Sequence, residues 1–213
     1  MKISAIVPVK SFSKAKKRLQ LPVEKTEDLC GIMLEEVLNI LSQSRLFEKI
    51  VIVSRDELAF KISKKVGALQ IYDHDERGVN QAVSLADKYL QNIPIDASVV
   101  FPQDIPLVQI EDIHFLLDFK RPSRCALVVP SRKFDGTNAL FRCPLDLMPT
   151  HYDEDSYKLH LSTAYSCSSC SSLVLIRRIM LDIDIPTDLR FMQSQHEKPH
   201  LASAITGILE QNA

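Results

Sequence analysis

Over its first 120 residues the chain alternates short apolar runs with amphipathic stretches, a rhythm that leaves few folds open. The segments 3–9, 49–54 and 68–72 are too short for helices and are bounded by turn residues, which predicts strands. Between them, Leu29, Ile32, Met33, Val37, Ile40 and Leu41 recur at spacings of three and four, which predicts an amphipathic helix over 26–41. Further helices are expected over 56–66, stopped at Gly67, over 78–91 and over 110–119. Connections this short suit right-handed crossovers and a mostly parallel, doubly wound sheet with helices on both faces: an α/β three-layer sandwich. After residue 120 the rhythm changes. Strands are expected at 124–130 and 138–141, a helix at 156–165, extended segments at 173–178 and 180–184, and closing helices from Thr187 and Pro199. The second half is read as antiparallel additions that lid the site. With 213 residues and 46% of them hydrophobic, the chain is expected to form one domain, 1–213, around its own core.

Two acidic features stand out against this frame. The run Val99-Val100-Phe101-Pro102-Gln103-Asp104-Ile105-Pro106-Leu107 is apolar up to one acid set between two prolines. In open α/β sheets ligands gather beyond the carboxyl ends of the strands, so Asp104 is delivered to the ligand edge. The alternative is an Asp that caps the helix near 110–112. The second feature is Leu181-Asp182-Ile183-Asp184-Ile185-Pro186-Thr187-Asp188. Alternation puts Asp182 and Asp184 on one side of an extended segment. Two like charges side by side repel unless water or a cation separates them. Mg²⁺ suits such a place, since it takes one or two carboxylates and shares its remaining positions with phosphates and water. A solvated strand end with a helix N-cap would look the same.

Just past the first strand, Lys10, Lys14, Lys16, Lys17 and Arg18 put five cations into nine residues. At the ligand edge they would neutralise a triphosphate and its pyrophosphate leaving group; elsewhere they would be a solvated face. No G-x-x-x-x-G-K-[ST] loop and no G-x-G-x-x-G turn follows that strand, which argues against a P-loop or a dinucleotide site. A basic loop after the first strand with metal-type acids after later strands describes nucleotidyl transfer. In Phe134-Asp135-Gly136-Thr137-Asn138 the glycine is expected to free backbone donors for an anion, unless the segment is simply an Asp-Gly hairpin turn. Ser156 and His160, four apart, share a helix face.

Other classes fit poorly. A net charge of −1 argues against a nonspecific binder of nucleic acid or membrane surfaces. The start is broken too soon for a signal peptide, and no apolar stretch approaches the roughly 18 residues that cross a bilayer. Five cysteines without framework spacing fit reduced thiols, and Cys167-Ser168-Ser169-Cys170 has no second pair to make a zinc site. The expectation is a soluble, cytoplasmic protein with no nucleic-acid or membrane partner. The oligomeric state stays open, a homodimer included.

At this point the residues resemble a known family. Pro8-Val9-Lys10 with Ala15-Lys16 and Arg18-Leu19 is similar to the P-V-K…A-K-x-R-L opening of the 2-phospho-L-lactate guanylyltransferases. These are MobA-like nucleotidyltransferases serving biosynthesis of the deazaflavin coenzyme F-420. Gly78-Val79-Asn80-Gln81-Ala82 resembles their G-L-N-x-A, Asp104-Ile105-Pro106-Leu107 their D-L-P-L, and Gly136-Thr137-Asn138-Ala139-Leu140 their G-T-N-A-L. Ser156-Tyr157-Lys158-Leu159-His160 is similar to S-F-x-x-H, and Leu181-Asp182-Ile183-Asp184-Ile185-Pro186 to L-D-V-D-T-P. The matches span residues 6 to 189.

The resemblance implies a nucleotide-diphospho-sugar transferase-like fold and a Mg²⁺-dependent enzyme that condenses GTP with 2-phospho-L-lactate and releases pyrophosphate. Asp104, Asp182 and Asp184 would hold the metal. Lys10, Lys16 and Arg18, with Asp104, would carry catalysis, and Lys10 and Asn80 would bind the nucleotide. Thr137, Asp153 and Ser156 take the positions facing the phosphorylated three-carbon acid. One departure matters: the family usually has Phe-Gly where this chain has Tyr152-Asp153. Asp153 adds a charge that should repel an anionic substrate, so the loop is rearranged, with His151 or Lys158 compensating, or the preference has shifted. Phosphoenolpyruvate and 3-phosphoglycerate are the alternative acceptors, and a catalytically silent nucleotide-binding paralogue is the alternative outside enzymes. Molybdopterin nucleotidylation fits less well, because that branch carries a glycine-rich loop after the first strand.

Overall fold

Along the first strand, β1 (Ile3–Pro8), Ala5 and Val7 pack into one apolar cluster and Ile6 into another, because successive strand side chains point to opposite faces. The chain, a computed structural model, is described for residues 1–121, 123–152 and 155–210. Its elements follow as α1 (Val23–Ser44), β2 (Lys49–Ser54), α2 (Glu57–Lys65), β3 (Leu69–Tyr72), α3 (Val79–Leu90), β4 (Ala97–Val100) and α4 (Ile110–Asp118). Then come β5 (Cys125–Pro130), β6 (Thr137–Cys143), α5 (Ser156–Cys167), β7 (Ser172–Leu173), α6 (Pro186–Gln193) and α7 (Pro199–Glu210).

Among the described residues the sheet has seven strands in the order β3-β2-β1-β4-β6-β5-β7. β1 pairs in parallel with β2 on one side and β4 on the other, so the strand order reverses direction at β1. β6 runs antiparallel to both β4 and β5, and β7 returns in parallel beside β5. One face is covered by α1, α2, α4, α6 and α7, whose apolar residues join Ala5, Val7, Ile52, Val99 and Phe141. The other is covered chiefly by α3 and α5, against Ile6, Val51, Val53, Val100 and Leu140. The three-layer α/β sandwich expected from the rhythm is what forms, with the antiparallel addition at β6.

Several elements depart from expectation, each for a local reason. α1 is longer than 26–41 at both ends: Glu24 puts a favourable negative charge in its first turn, and Ser44 closes it by donating from Oγ to the Leu41 carbonyl at 2.7 Å. Leu29, Met33, Leu34, Val37, Leu38 and Leu41 are all buried along it, each contributing about 1.5–3 kcal/mol. The apolar run 99–107 is a ladder strand only to Val100. Pro102 and Pro106 have no N–H to donate, so the chain leaves the sheet and threads the core as turns, with Phe101, Ile105 and Leu107 buried. The segment 180–184 joins no ladder. Backbone bonds fasten it to distant loops, from the Arg132 N–H to the Met180 carbonyl at 2.9 Å and from the Ile183 N–H to the Asp104 carbonyl at 3.0 Å. The second of these fastens the two acidic features to each other.

Candidate functional site

The place where the strand order reverses is a crevice at the carboxyl ends of β1 and β4, where ligands of doubly wound sheets bind. Both candidate loops start there. The basic segment leaves β1 and makes two tight 3-10 turns, Phe12–Lys14 and Lys17–Leu19, with Lys16 between them in the left-handed region at φ 48°. Phe12 and Leu19 bury into the core and pin the loop from below. Two acids pin it from the side. Asp56, the N-cap of α2, accepts from the Leu58 and Ala59 N–H groups through one oxygen, and through the other from the Phe12 N–H at 2.9 Å. Glu76 accepts from the Ser11 N–H at 2.5 Å and from Lys14 Nζ at 2.8 Å. Partial burial would raise the Glu76 carboxyl, but these bonds hold it down at about 2.

Lys16 is the centre of the site. Its side chain is 8% exposed, and its ammonium bridges Asp104 Oδ2 and Asp184 Oδ1, the latter at 2.7 Å. Burial alone would lower its pKa. The two carboxylates outweigh burial and keep the ammonium charged well above its ordinary range. Arg18 pairs with the other oxygen of Asp184 while remaining 68% exposed. Burial would likewise raise Asp184, but Lys16, then Arg18, bring its carboxyl below the usual value. Asp182 goes the other way: burial and then the neighbouring Asp104 charge raise it, against the hydrogen bond from Asn138 Nδ2 at 3.1 Å. The same Asn138 amide donates to the Ile179 carbonyl at 3.0 Å, which ties β6 to the acidic segment.

The three acids named from the sequence therefore converge. Asp104, Asp182 and Asp184 all line one cleft of about 770 Å³, together with Thr137, Asn138, Ser156 and Arg18. It opens into a second cleft of about 410 Å³ lined by the basic loop, Lys10 included. That in turn adjoins a hollow of about 360 Å³ between Lys10 and the Asp73–Val79 loop. Asp104 does not cap α4: the carboxylate that closes the start of that helix is Asp112, accepting from the Gln109 N–H at 2.8 Å. The helix at the acidic pair exists as well, but its N-terminal carboxylate is Asp188, which accepts from the Asp184 and Ile185 N–H groups. Among the described residues no three metal-type ligands stand at coordination spacing, and Lys16 occupies the space between Asp104 and Asp184. The donors are nonetheless all carboxylate oxygens, the class Mg²⁺ takes, and Asp104 Oδ1 is buried without a hydrogen-bond partner.

Across the cleft, Thr137 at the start of β6 meets α5. Ser156 Oγ lies 3.2 Å and His160 Nδ1 2.9 Å from Thr137 Oγ1, all three side chains buried. Asn80 sits in the first turn of α3 behind Gly78, whose φ of 109° an L side chain rarely adopts, and its Oδ1 accepts from the Tyr152 N–H at 2.8 Å. Asp153 lies outside the described residues. The Asp-Gly reading of 134–138 resolves towards the hairpin turn. Ser131 Oγ accepts from the Asp135 and Gly136 N–H groups at 3.3 and 3.1 Å, so these donors are spent inside the turn, and Phe134 takes the positive φ of 56°.

Sequence reasoning missed Glu76 and Asn138, and it left His160 without partners. Asp56 was legible, as a helix-opening Asp before an amphipathic run. Glu76 carries no signal, because its partners lie more than sixty residues away.

Comparison with known proteins agrees with this fold. A putative nucleotide-diphospho-sugar transferase from Desulfovibrio desulfuricans G20 superposes with a TM-score of 0.71 over 97% of this chain and 95% of that one, at 17% identity. A nucleotidyl transferase from Methanothermobacter thermautotrophicus superposes with a TM-score of 0.60 over 89% and 95%, at 12% identity. Among sequences, the phosphoenolpyruvate guanylyltransferase of Conexibacter woesei is 29% identical over 192 residues, 89% of this chain and 86% of that protein. The 2-phospho-L-lactate guanylyltransferase of Methanobrevibacter smithii is 29% identical over 164 residues, 76% and 70% respectively. The family model described as "guanylyl transferase CofC like" matches residues 3–198, nearly the whole chain. By that match the chain belongs to the CofC-like guanylyl transferases.

Proposed function

We propose that the protein transfers the guanylyl group of GTP to the phosphate of a phosphorylated three-carbon acid, 2-phospho-L-lactate in the first reading, and releases pyrophosphate. The observation that carries this is the single crevice at the β1–β4 switch point, with the Lys16–Asp104–Asp184–Arg18 charge network on one wall and the Thr137–Ser156–His160 hydroxyl cluster on the other. A polyanion and a small acid meet between such walls.

The acceptor's phosphate oxygen is already ionised, so the reaction needs no general base. That oxygen attacks the α-phosphorus, the new P–O bond forms, and the bond to the β-phosphate breaks with its electrons on pyrophosphate. Catalysis then consists of holding two polyanions in line and cancelling charge. Lys10, Lys16 and Arg18 offset the charge of the triphosphate and of the leaving group, and Asn80 binds the base or ribose. Thr137 and Ser156 orient the acid. Asp104, Asp182 and Asp184 would hold Mg²⁺, which supplies further positive charge at the α-phosphate.

Phosphoenolpyruvate is the second acceptor reading, favoured by relatives of both kinds standing at the same 29% identity. With 2-phospho-L-lactate, the setting implied by the sequence resemblance is coenzyme F-420 biosynthesis. The test is pyrophosphate release across four nucleoside triphosphates and three acids: 2-phospho-L-lactate, phosphoenolpyruvate and 3-phosphoglycerate. GTP with one of these is expected to turn over. Calorimetric GTP binding with no release in any combination would leave a silent nucleotide-binding protein and end the transferase reading.

A further inference from the structure

The hydroxyl cluster facing the acid has a polarity, and one buried ring sets it. His160 is wholly buried, and its Nε2 lies 2.7 Å from the backbone nitrogen of His151. A backbone N–H can only donate, so Nε2 accepts and a neutral imidazole carries its proton on Nδ1. That Nδ1–H points at Thr137 Oγ1, 2.9 Å away. Thr137 Oγ1 is also 3.2 Å from Ser156 Oγ. Three protons, on His160 Nδ1, Thr137 Oγ1 and Ser156 Oγ, thus serve two links, and one is left over. If Ser156 donates to Thr137, both acceptor positions of Thr137 are filled and its own O–H turns into the cleft. If Thr137 donates to Ser156, the Ser156 O–H is the one released. With the ring proton on Nε2 instead, two protons would serve two links and none would face the ligand.

The geometry points to His160 as a positioning residue, locked in its Nδ1–H form by the His151 backbone, that turns the Thr137–Ser156 pair into a hydroxyl donor for an oxyanion of the acid substrate. This rests on the transfer proposed above, and it adds the group that orients the acid subsite without touching substrate. The surroundings keep the ring in its neutral form. Burial foremost, then His151 and Arg142, push its pKa down to about 3, while Tyr152 packs edge-on at 4.7 Å between ring centroids. An imidazolium would donate from Nε2 into the His151 N–H, which the geometry forbids.

Two substitutions separate the ring's two nitrogens. The amide of His160→Asn reaches the Nδ1 position and can still donate to Thr137, whereas His160→Gln reaches the Nε2 position and cannot. Losing a hydrogen bond that supports a charged ligand costs roughly tenfold to hundredfold in affinity. H160Q is therefore expected to raise KM and calorimetric Kd for the phospho-acid about tenfold or more. H160N is expected to stay within about threefold of wild type, and KM for GTP should not move in either. In a Thr137→Val background H160Q should add nothing further. Ring-labelled nitrogen NMR of the wild type reads the tautomer without any variant or turnover: Nδ1 protonated and Nε2 bare from pH 8 to pH 5. A proton on Nε2, equal losses in H160N and H160Q, KM for GTP rising in step, or an undiminished H160Q effect in the Thr137→Val background would each overturn the assignment. Wild-type protein that binds the phospho-acid but releases no pyrophosphate would end the transfer reading alone, with the Kd contrast between H160N and H160Q still deciding the role of the ring.

Discussion

Replacing Lys16 with methionine tests the charge network at its centre. The ammonium is 8% exposed and lies between carboxylates that are 17% and 23% exposed. Removing one member of a buried ionic cluster costs about 3–5 kcal/mol, mostly because the remaining charges stay desolvated and unpaired. Asp104 and Asp184 keep some water and Asp184 keeps Arg18, so the loss in K16M should fall at the lower end, about 3 kcal/mol. For a chain of this length that corresponds to a fall in Tm of about 6–12 °C. The sign of the pH dependence follows from Asp184. Lys16 and Arg18 depress its carboxyl, so its contribution is present above its unfolded value near pH 4 and is lost as the pH falls through the folded value. Lys16 itself is raised, so its contribution is fully present below its unfolded value of about 10.4 and is lost as the pH rises from there through its still higher folded value. The gap between wild type and K16M should therefore be flat from about pH 6 to 9 and should narrow below about pH 4, once Asp184 takes up a proton. Urea unfolding followed by circular dichroism at pH 7 and pH 3.5 measures it. A loss under about 1 kcal/mol at pH 7, or a gap just as wide at pH 3.5, would refute the reasoning.

Asp104→Asn is expected to abolish pyrophosphate release while leaving the far-ultraviolet circular dichroism spectrum unchanged; near-normal turnover would remove the metal assignment. Chelation by EDTA should stop pyrophosphate release and added Mg²⁺ should restore it, so release that persists in EDTA argues against a divalent requirement. Asp87→Ala should cost about 3–5 kcal/mol in urea unfolding. Arg142, 1% exposed, holds Asp87 through two bonds of 2.8 and 2.9 Å, and its guanidinium would be left buried without its counter-charge. A midpoint close to wild type would mean that the guanidinium finds water or another acceptor.

The elements the sequence revealed are those governed by short-range periodicity. The apolar positions of α1 repeat at helical spacing whatever they pack against, and the residues of β1 and β2 sort to two faces by alternation alone. The same logic overreached where apolar residues were buried by tertiary fit instead of by a ladder. The run ending at Asp104 read as strand, yet Pro102 stops the ladder at Val100 and Phe101 is buried outside it, and 180–184 alternates like a strand while pairing only with loops. In the site, residue types on their own pointed to Asp104, Asp182 and Asp184, because acids at strand ends are visible locally. What holds them was not visible. Lys16 reaches Asp184 across 168 positions and Asn138 reaches Asp182 across 44. The Gly136 turn shows the limit most plainly: its donors looked available, but Ser131, five residues upstream, uses them.

The charges at 10–18 also mean something different in three dimensions. Five cations in nine residues read as a rim waiting for phosphate, but Lys14 is held by Glu76, Lys16 by two aspartates and Arg18 by Asp184. The polyanion proposed for this cleft would have to exchange partners with these groups, and the cost of exchange depends on exposure. Arg18, 68% exposed, gives up an ion pair that water already screens, at a cost of about 0–1 kcal/mol. Lys16 would give up bonds in a largely dry site, several times more costly. On the proposed reading, Arg18 would therefore exchange its carboxylate for a phosphate more cheaply than Lys16, which spans Asp104 and Asp184.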